Sequence, residues 1–192
     1  QSLEFNKKSL EMRQRLFNNS DHPDLATSLD SLGHCYFLLD DYKPALDYHL
    51  KALEMRKRVY REENHLDFAQ SYINIGLVYG KLMDARKALE YELKCLELRK
   101  NCLSEDHTDI AVSLDSVGCA YEKLGNYEEA LKYKRSSLEM RKRIFKDDHV
   151  EIANSLNNVG IAYENVGDFK AALDYKQMSF EMRKRLYKGY NF

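Results

Sequence analysis

Apolar residues recur along this chain in two alternating stretches. In the first, Leu29, Leu32 and Tyr36 sit at i, i+3 and i+7 with Gly33 among them, reading L-x-x-L-G-x-x-Y. That spacing places the apolar residues on one face of an α-helix. The same stretch returns as Tyr72-x-x-Ile75-Gly76-x-x-Tyr79, Leu114-x-x-Val117-Gly118-x-x-Tyr121 and Leu156-x-x-Val159-Gly160-x-x-Tyr163. The glycines fall at 33, 76, 118 and 160, in steps of 43, 42 and 42. A fixed period of this size predicts a solenoid of repeated helix pairs. The first helix of each pair, helix A, runs roughly over 23–39 in the first repeat.

The second stretch predicts helix B. One stripe reads Ala45, Tyr48, Ala52, Met55 and Val59, repeated as Ala88, Tyr91, Cys95, Leu98 and Cys102 and twice more downstream. A parallel line adds Leu46 and Leu53, then Leu89 and Leu96, Leu131 and Leu138, Leu173 and Phe180. Two apolar lines on one helix require two neighbours: the helix A of its own repeat and that of the next. A glycine inside helix A costs about 1 kcal/mol relative to alanine. Its return in every repeat predicts a close helix–helix approach.

Punctuation fits this division. Helix A is led in by Asp21-His22-Pro23-Asp24, Asn64-x-x-Asp67, Asp106-x-x-Asp109 and Asp148-x-x-Glu151. An Asx followed three residues later by an acid predicts an Asx N-cap with a carboxylate near the positive end of the helix dipole. Pro23 suits the first turn. Turns at Asp40–Tyr42, Gly125-Asn126 and Gly167-Asp168 lead into helix B. Leu3, Phe5, Leu10 and Met12 align with Leu46, Tyr48, Leu53 and Met55, so residues 1–17 read as a helix B without its helix A. Four full repeats follow, over 22–64, 65–106, 107–148 and 149–190, giving about nine helices in one array. With two prolines and no Gly/Ser linker, the sequence marks no domain boundary, and its start inside a repeat reads as a fragment of a longer chain. At the far end Lys188-Gly189-Tyr190-Asn191 replaces the acidic lead-in Lys146-Asp147-Asp148-His149, either because the array ends or because the sequence is cut there.

These residues resemble the tetratricopeptide repeat. The likeness rests on L-x-x-L-G-x-x-Y in helix A, the aromatics Tyr42, Tyr127 and Phe169, the alanines Ala45, Ala88, Ala130 and Ala172, and the small Ala52, Cys95, Ser137 and Ser179. The usual unit of that family has 34 residues and a proline ending helix B. Here the unit has 42 and no such proline, which looks like the extended repeats of kinesin light chains and of arrays attached to signalling ATPases. The resemblance implies an all-α, right-handed solenoid of antiparallel helix pairs that docks a partner peptide or helix in its concave groove. Kinesin light chains carry groove asparagines just before the helix A glycine position, where this chain has Ser31, Asn74, Ser116 and Asn158, so two of four keep Asn.

Helical phase places the concave-face candidates on helix A. The peptide-binding set is Asp30, Ser31, His34, Gln70, Asn74, Lys81, Asp115, Ser116, Asn154, Asn157, Asn158 and Asn165, with Thr27, Phe37, Ile73, Leu77, Val112, Cys119, Glu122, Ile161 and Glu164 among them. Asparagine and serine both donate and accept, so they suit a peptide backbone. Acids outnumber bases in this set, which points to a neutral or basic segment. A clamp for an acidic C-terminus needs clustered cations, and only Lys81 and Lys123 come near.

Each helix B ends in a basic run: Glu11-Met12-Arg13-Gln14-Arg15, Glu54-Met55-Arg56-Lys57-Arg58, Glu97-Leu98-Arg99-Lys100, Glu139-Met140-Arg141-Lys142-Arg143 and Glu181-Met182-Arg183-Lys184-Arg185. Stacked, these form a candidate phosphate-binding ridge. The plainer reading is favourable helix C-termini and i,i+4 pairs such as Glu54–Arg58 and Glu139–Arg143. His22, His65, His107 and His149 recur about one repeat apart, too far for shared metal ligation, and read as part of the helix A start. Tyr48, Tyr91, Tyr133 and Tyr175 read as core.

A formal net charge of −1 gives no global pull toward nucleic acid or anionic membrane. No apolar run reaches the roughly 20 residues of a membrane helix, and no signal peptide is visible. Cys35, Cys95, Cys102 and Cys119 form no C-x-x-C pair and read as reduced thiols of a cytosolic or nuclear protein. Asn18-Asn19-Ser20 spells a lone glycosylation sequon with no other sign of secretion. No phosphate loop, nucleophile elbow or H-E-x-x-H occurs. The expectation is a cytoplasmic protein-interaction scaffold without enzyme activity or cofactor. Its partner is a protein or peptide rather than nucleic acid or membrane, and the open array ends allow homo-oligomers. Self-assembly or a spacer role within a larger signalling or motor-adaptor protein is the alternative.

Overall fold

The computed structural model describes residues 2–60 and 65–187. Within them lie nine helices and no strand: α1 (Ser2–Leu16), α2 (Pro23–Leu38), α3 (Tyr42–Val59), α4 (Asp67–Lys81), α5 (Ala85–Cys102), α6 (Thr108–Lys123), α7 (Tyr127–Ile144), α8 (Val150–Val166) and α9 (Phe169–Tyr187). Contacts divide the chain into two compact units, Gln1–Cys102 and Leu103–Phe192. The first stacks α1 on α2, the α2–α3 pair on α4, and α4 on α5. The second pairs α6 with α7, α7 with α8 and α8 with α9.

Helix pairing follows from where the small residues fall. Ala45, Ala88, Ala130 and Ala172 are buried on helix B, and Ala26, Ala69, Ala111 and Ala153 on helix A. These let backbones approach while Leu25, Phe68, Ile110 and Ile152 fill the layers between them. The tyrosines close each hairpin: Tyr36 on Tyr48, Tyr79 on Tyr91, Tyr121 on Tyr133 and Tyr163 on Tyr175, with ring centroids 5.3–5.7 Å apart. The A-to-B turns each need one left-handed residue, filled by Asp40, Met83, Gly125 and Gly167.

The helix A starts depart from the expected Asx cap. The N-caps of α2, α6 and α8 are His22, His107 and His149, whose Nδ1 accepts from the backbone N–H of Asp24, Asp109 and Glu151 at 3.1–3.2 Å. His65 does the same for Asp67 at 3.2 Å. An imidazole acceptor two residues upstream reaches the orphan amide as an Asx side chain would. The ring also gains a stacking partner at the end of the preceding helix B: Phe17 under His22, Tyr60 under His65 and Phe145 under His149, at 3.7–3.9 Å. The acids Asp24, Asp67, Asp109 and Glu151 do occupy the first turns. Asn64 lies outside the described residues, as do Lys188, Gly189, Tyr190 and Asn191.

The displaced aspartates have other work, which corrects the expected i,i+4 pairs. Arg58 pairs with Asp21 at 2.6 Å, Arg143 with Asp106 at 2.8 Å and Arg185 with Asp148 at 2.5 Å. Each bond joins the end of helix B to the lead-in of its own helix A, which the antiparallel hairpin brings alongside. Glu54 and Glu139 instead bind Lys57 and Lys142, both at 2.9 Å.

Candidate functional site

The first unit holds a groove of about 680 Å³ on its helix A face. One wall comes from α2 with Thr27, Ser31, His34, Phe37 and Leu38, the other from α4 with Gln70, Ile73, Asn74 and Leu77. Leu38 and Leu77 are exposed although apolar. Ser2 and Asn6 of α1 close one end, where Asn6 Nδ2 donates to Cys35 Sγ at 3.0 Å.

The floor is polar and buried. Asp30 Oδ1 accepts from His49 Nδ1 at 2.8 Å, and its Oδ2 pairs with Arg56 Nη1. Arg56, only 7 % exposed, also donates to Ser71 Oγ at 2.5 Å. Among the described lining residues, Asp30 and Arg56 are the fully charged groups, and their opposite charges offset each other. An acid and a base buried together, each hydrogen-bonded, avoid the large cost of a lone buried charge. The groove therefore offers apolar walls, amide and hydroxyl groups along its rim, and no net charge.

The structure brings together Asp30, Ser31, His34, Gln70 and Asn74 of the candidate set. Asp30 faces inward rather than standing free on the rim, because Arg56 and His49 hold it. Ser31 Oγ donates to the Thr27 carbonyl at 2.9 Å, and Gln70 Nε2 to Asn74 Oδ1 at 2.8 Å. His34 is exposed on the rim. Lys81, the last residue of α4, is exposed and lies outside the groove lining. His49 and Arg56 escaped sequence reasoning because they come from helix B, where Arg56 reads as part of the basic run and His49 falls on neither apolar line. The available signal was Ser28, Ser71, Ser113 and Ser155, one per repeat at the glycine period.

In the second unit the candidates form a hydrogen-bonded face. Asn158 Nδ2 donates to Asp115 at 3.1 Å, Asn165 Nδ2 to Glu122 at 3.1 Å, and Lys134 Nζ to Glu122 at 2.7 Å. Asn154 accepts from Arg183 at 3.0 Å. Ser116 and Asn157 are half-buried. Burial pushes the Cys119 thiol above its ordinary value, with nearby Lys134 acting in the opposite direction.

The basic ridge is largely spent. Arg56 and Arg141 are buried, 7 and 6 % exposed, and Arg58, Arg143 and Arg185 face aspartates. Among the described residues no group of three or more His, Cys, Asp or Glu could hold a metal ion, and no helix is long and apolar enough to cross a membrane.

The sequential helix-pair packing matches known structures. Over 97 % of this chain and 87 % of the other, the fold is similar to the nearly identical kinesin light chain TPR-like repeats of Podosopora anserina, with a TM-score of 0.86 at 15 % identity. It is similar to BtubC (BKLC) from P. vanneervenii over 98 % of this chain and 74 % of that one, with a TM-score of 0.85 at 20 % identity. The apo form of RapI matches over 95 % of this chain and 51 % of its own, with a TM-score of 0.74 at 20 % identity. No curated protein sequence matches the chain. The tetratricopeptide repeat family profile matches residues 1–58, 67–143 and 120–185, and the chain belongs to that family.

Proposed function

We propose that this protein is a cytoplasmic interaction scaffold whose first unit docks an uncharged, apolar-rich segment of a partner protein. The observation that carries this reading is the α2–α4 groove. It combines exposed leucines with Ser31, Gln70 and Asn74 over a charge-neutral floor. Apolar side chains of the partner enter between Leu38, Ile73 and Leu77, and the amides and hydroxyl hold its backbone. The Asp30–Arg56 pair keeps the floor rigid without attracting a charged ligand. In the second unit, Asp115, Ser116, Asn154, Asn157, Asn158 and Asn165 form a separate set of backbone-reading groups, and in the first unit Lys81 stands exposed at the end of α4.

A peptide-array pulldown with the purified protein tests this reading. Motifs recovered by the parent and lost by Leu77→Asp with Asn74→Ala support it. Motifs retained by that variant move the site elsewhere. Adding Asn158→Ala reads the contribution of the second unit.

A second reading, self-assembly, is favoured by Phe5, Met12 and Leu16, which stand exposed on α1. Sedimentation across a concentration series separates the two, since a fixed monomer mass removes self-assembly. The neutralised arginines favour a protein partner over nucleic acid, and cysteines outside any disulfide suit a reducing compartment.

A further inference from the structure

Phe169, Leu173, Phe180 and Tyr187 share one face of α9 and are 71, 65, 62 and 56 % exposed. On α7 the same positions are Tyr127, Leu131, Leu138 and Phe145. There Leu131 and Leu138 are only 9 and 1 % exposed, because Ile152, Leu156 and Val159 of α8 pack on them. On α3 the matching Leu46, Leu53 and Tyr60 lie against Phe68 and Ala69 of α4, and on α1 Leu10 lies against Ala26 and Leu29 of α2. Within the two units, α1, α3 and α7 thus carry occupied copies of the α9 face, and among the described residues nothing covers the one on α9.

Two polar contacts mark each of these three copies. The aromatic ending helix B stacks on the histidine that starts the covering helix, at 3.7–3.9 Å. One turn earlier, an arginine Nη1 donates to a serine of the covering helix: Arg13 to Ser28 at 2.6 Å, Arg56 to Ser71 at 2.5 Å and Arg141 to Ser155 at 2.5 Å. α9 carries both halves of this reader, Tyr187 and Arg183, at the matching positions. Arg183 holds Asn154 through Nη2, whereas the serine bond in the three copies uses Nη1.

We propose that the α9 face binds a partner α-helix reading His-x-(Asp/Glu)-large-Ala-x-Ser-large, the pattern of 22–29, 65–72 and 149–156. The histidine stacks on Tyr187 and the serine accepts from Arg183. The alanine permits close approach, and the large apolar pair fills the space over Leu173 and Phe180. A merely amphipathic helix covers the apolar area but leaves the buried guanidinium without its acceptor, and such unmade bonds are where specificity arises.

The test titrates the protein into a fluorescent, helix-stabilised peptide copying residues 148–166 and follows anisotropy. The expected result is saturable binding that weakens at least tenfold when the peptide carries Ser155→Val, and that is lost with the protein variant Leu173→Asp/Phe180→Asp. Asn74→Ala in the groove leaves it unchanged, so this surface and the groove succeed or fail separately. Circular dichroism checks that the α9 variant remains folded, as expected for exposed positions. The proposal is overturned by absence of binding, by equal binding of a scrambled amphipathic helix, or by undiminished binding to the α9 variant. It is equally overturned if sedimentation finds a dimer that the α9 substitutions dissolve and the peptide does not displace, since the occupant is then a second copy of this chain.

Discussion

The imidazole of His49 lies 2.8 Å from where a β-carbon on Gly33 would sit. The ring cannot retreat cheaply, because its Nδ1 is held by Asp30 in the groove floor. Gly118 and Gly160 are similarly tight, against Lys134 Cγ at 2.8 Å and Lys176 Cγ at 2.9 Å, with helix B carbonyls at 3.2 and 3.1 Å. Gly76 differs: its nearest neighbour is the flexible end of Glu92 at 3.4 Å, an ordinary contact. Gly76→Ala should therefore gain helix propensity, up to about 1 kcal/mol. Gly33→Ala, Gly118→Ala and Gly160→Ala should each lose about 1–3 kcal/mol through overpacking. Urea unfolding of the four variants checks the split, and uniform loss at all four sites would remove the distinction.

The glycine period made the architecture readable because close approach recurs at three of the four hairpins, and at Gly76 the glycine keeps the period without the tight contact. The groove walls were readable for a related reason, since helical phase alone puts Ser31, Gln70 and Asn74 beside Ile73 and Leu77. The floor was not. Arg56 and Asp30 look like surface charges in a sequence with 32 % charged residues. Only the packing of α3 between α2 and α4 turns them inward to meet each other. The caps were misplaced by one residue because an Asx ahead of a helix normally caps it. Here a stacked histidine takes that place, and the aspartate is free to bind arginine.

Buried pairing at Asp30 and Arg56 predicts an asymmetric mutational response. Arg56→Met removes the partner of a buried carboxylate and of Ser71, and should cost about 3–5 kcal/mol. Restoring neutrality with Asp30→Asn in the same chain should recover a substantial part of that loss. A double-mutant cycle by denaturant unfolding measures it, and strict additivity would show the two groups to be energetically independent.

Histidine capping of α8 is testable at His149. His149→Ala removes both the Nδ1 acceptor for Glu151 N–H and the ring on Phe145, so the loss should exceed the roughly 1 kcal/mol of an ordinary cap. His149→Asn restores an acceptor of Asx type without the stack and should fall between parent and Ala. An Asn variant as stable as the parent would mean that the stacked ring contributes nothing.

Asp148 gives the fold a defined acid response. Its hydrogen bond from Arg185 holds the carboxyl below the ordinary value of 3.8, and Arg58 does the same for Asp21. A carboxyl whose folded value is depressed stabilises the fold above its unfolded value. That contribution fades as pH falls through the folded value, because protonation ends the pairing. Asp148→Asn should therefore lower the melting temperature at pH 7, and the gap to the parent should narrow progressively below about pH 4. Both carboxylates are solvent-exposed, so the gap should also shrink when salt is raised at pH 7. A melting-temperature difference constant from pH 7 to pH 3 would mean that Asp148 acts through something other than its charge on Arg185.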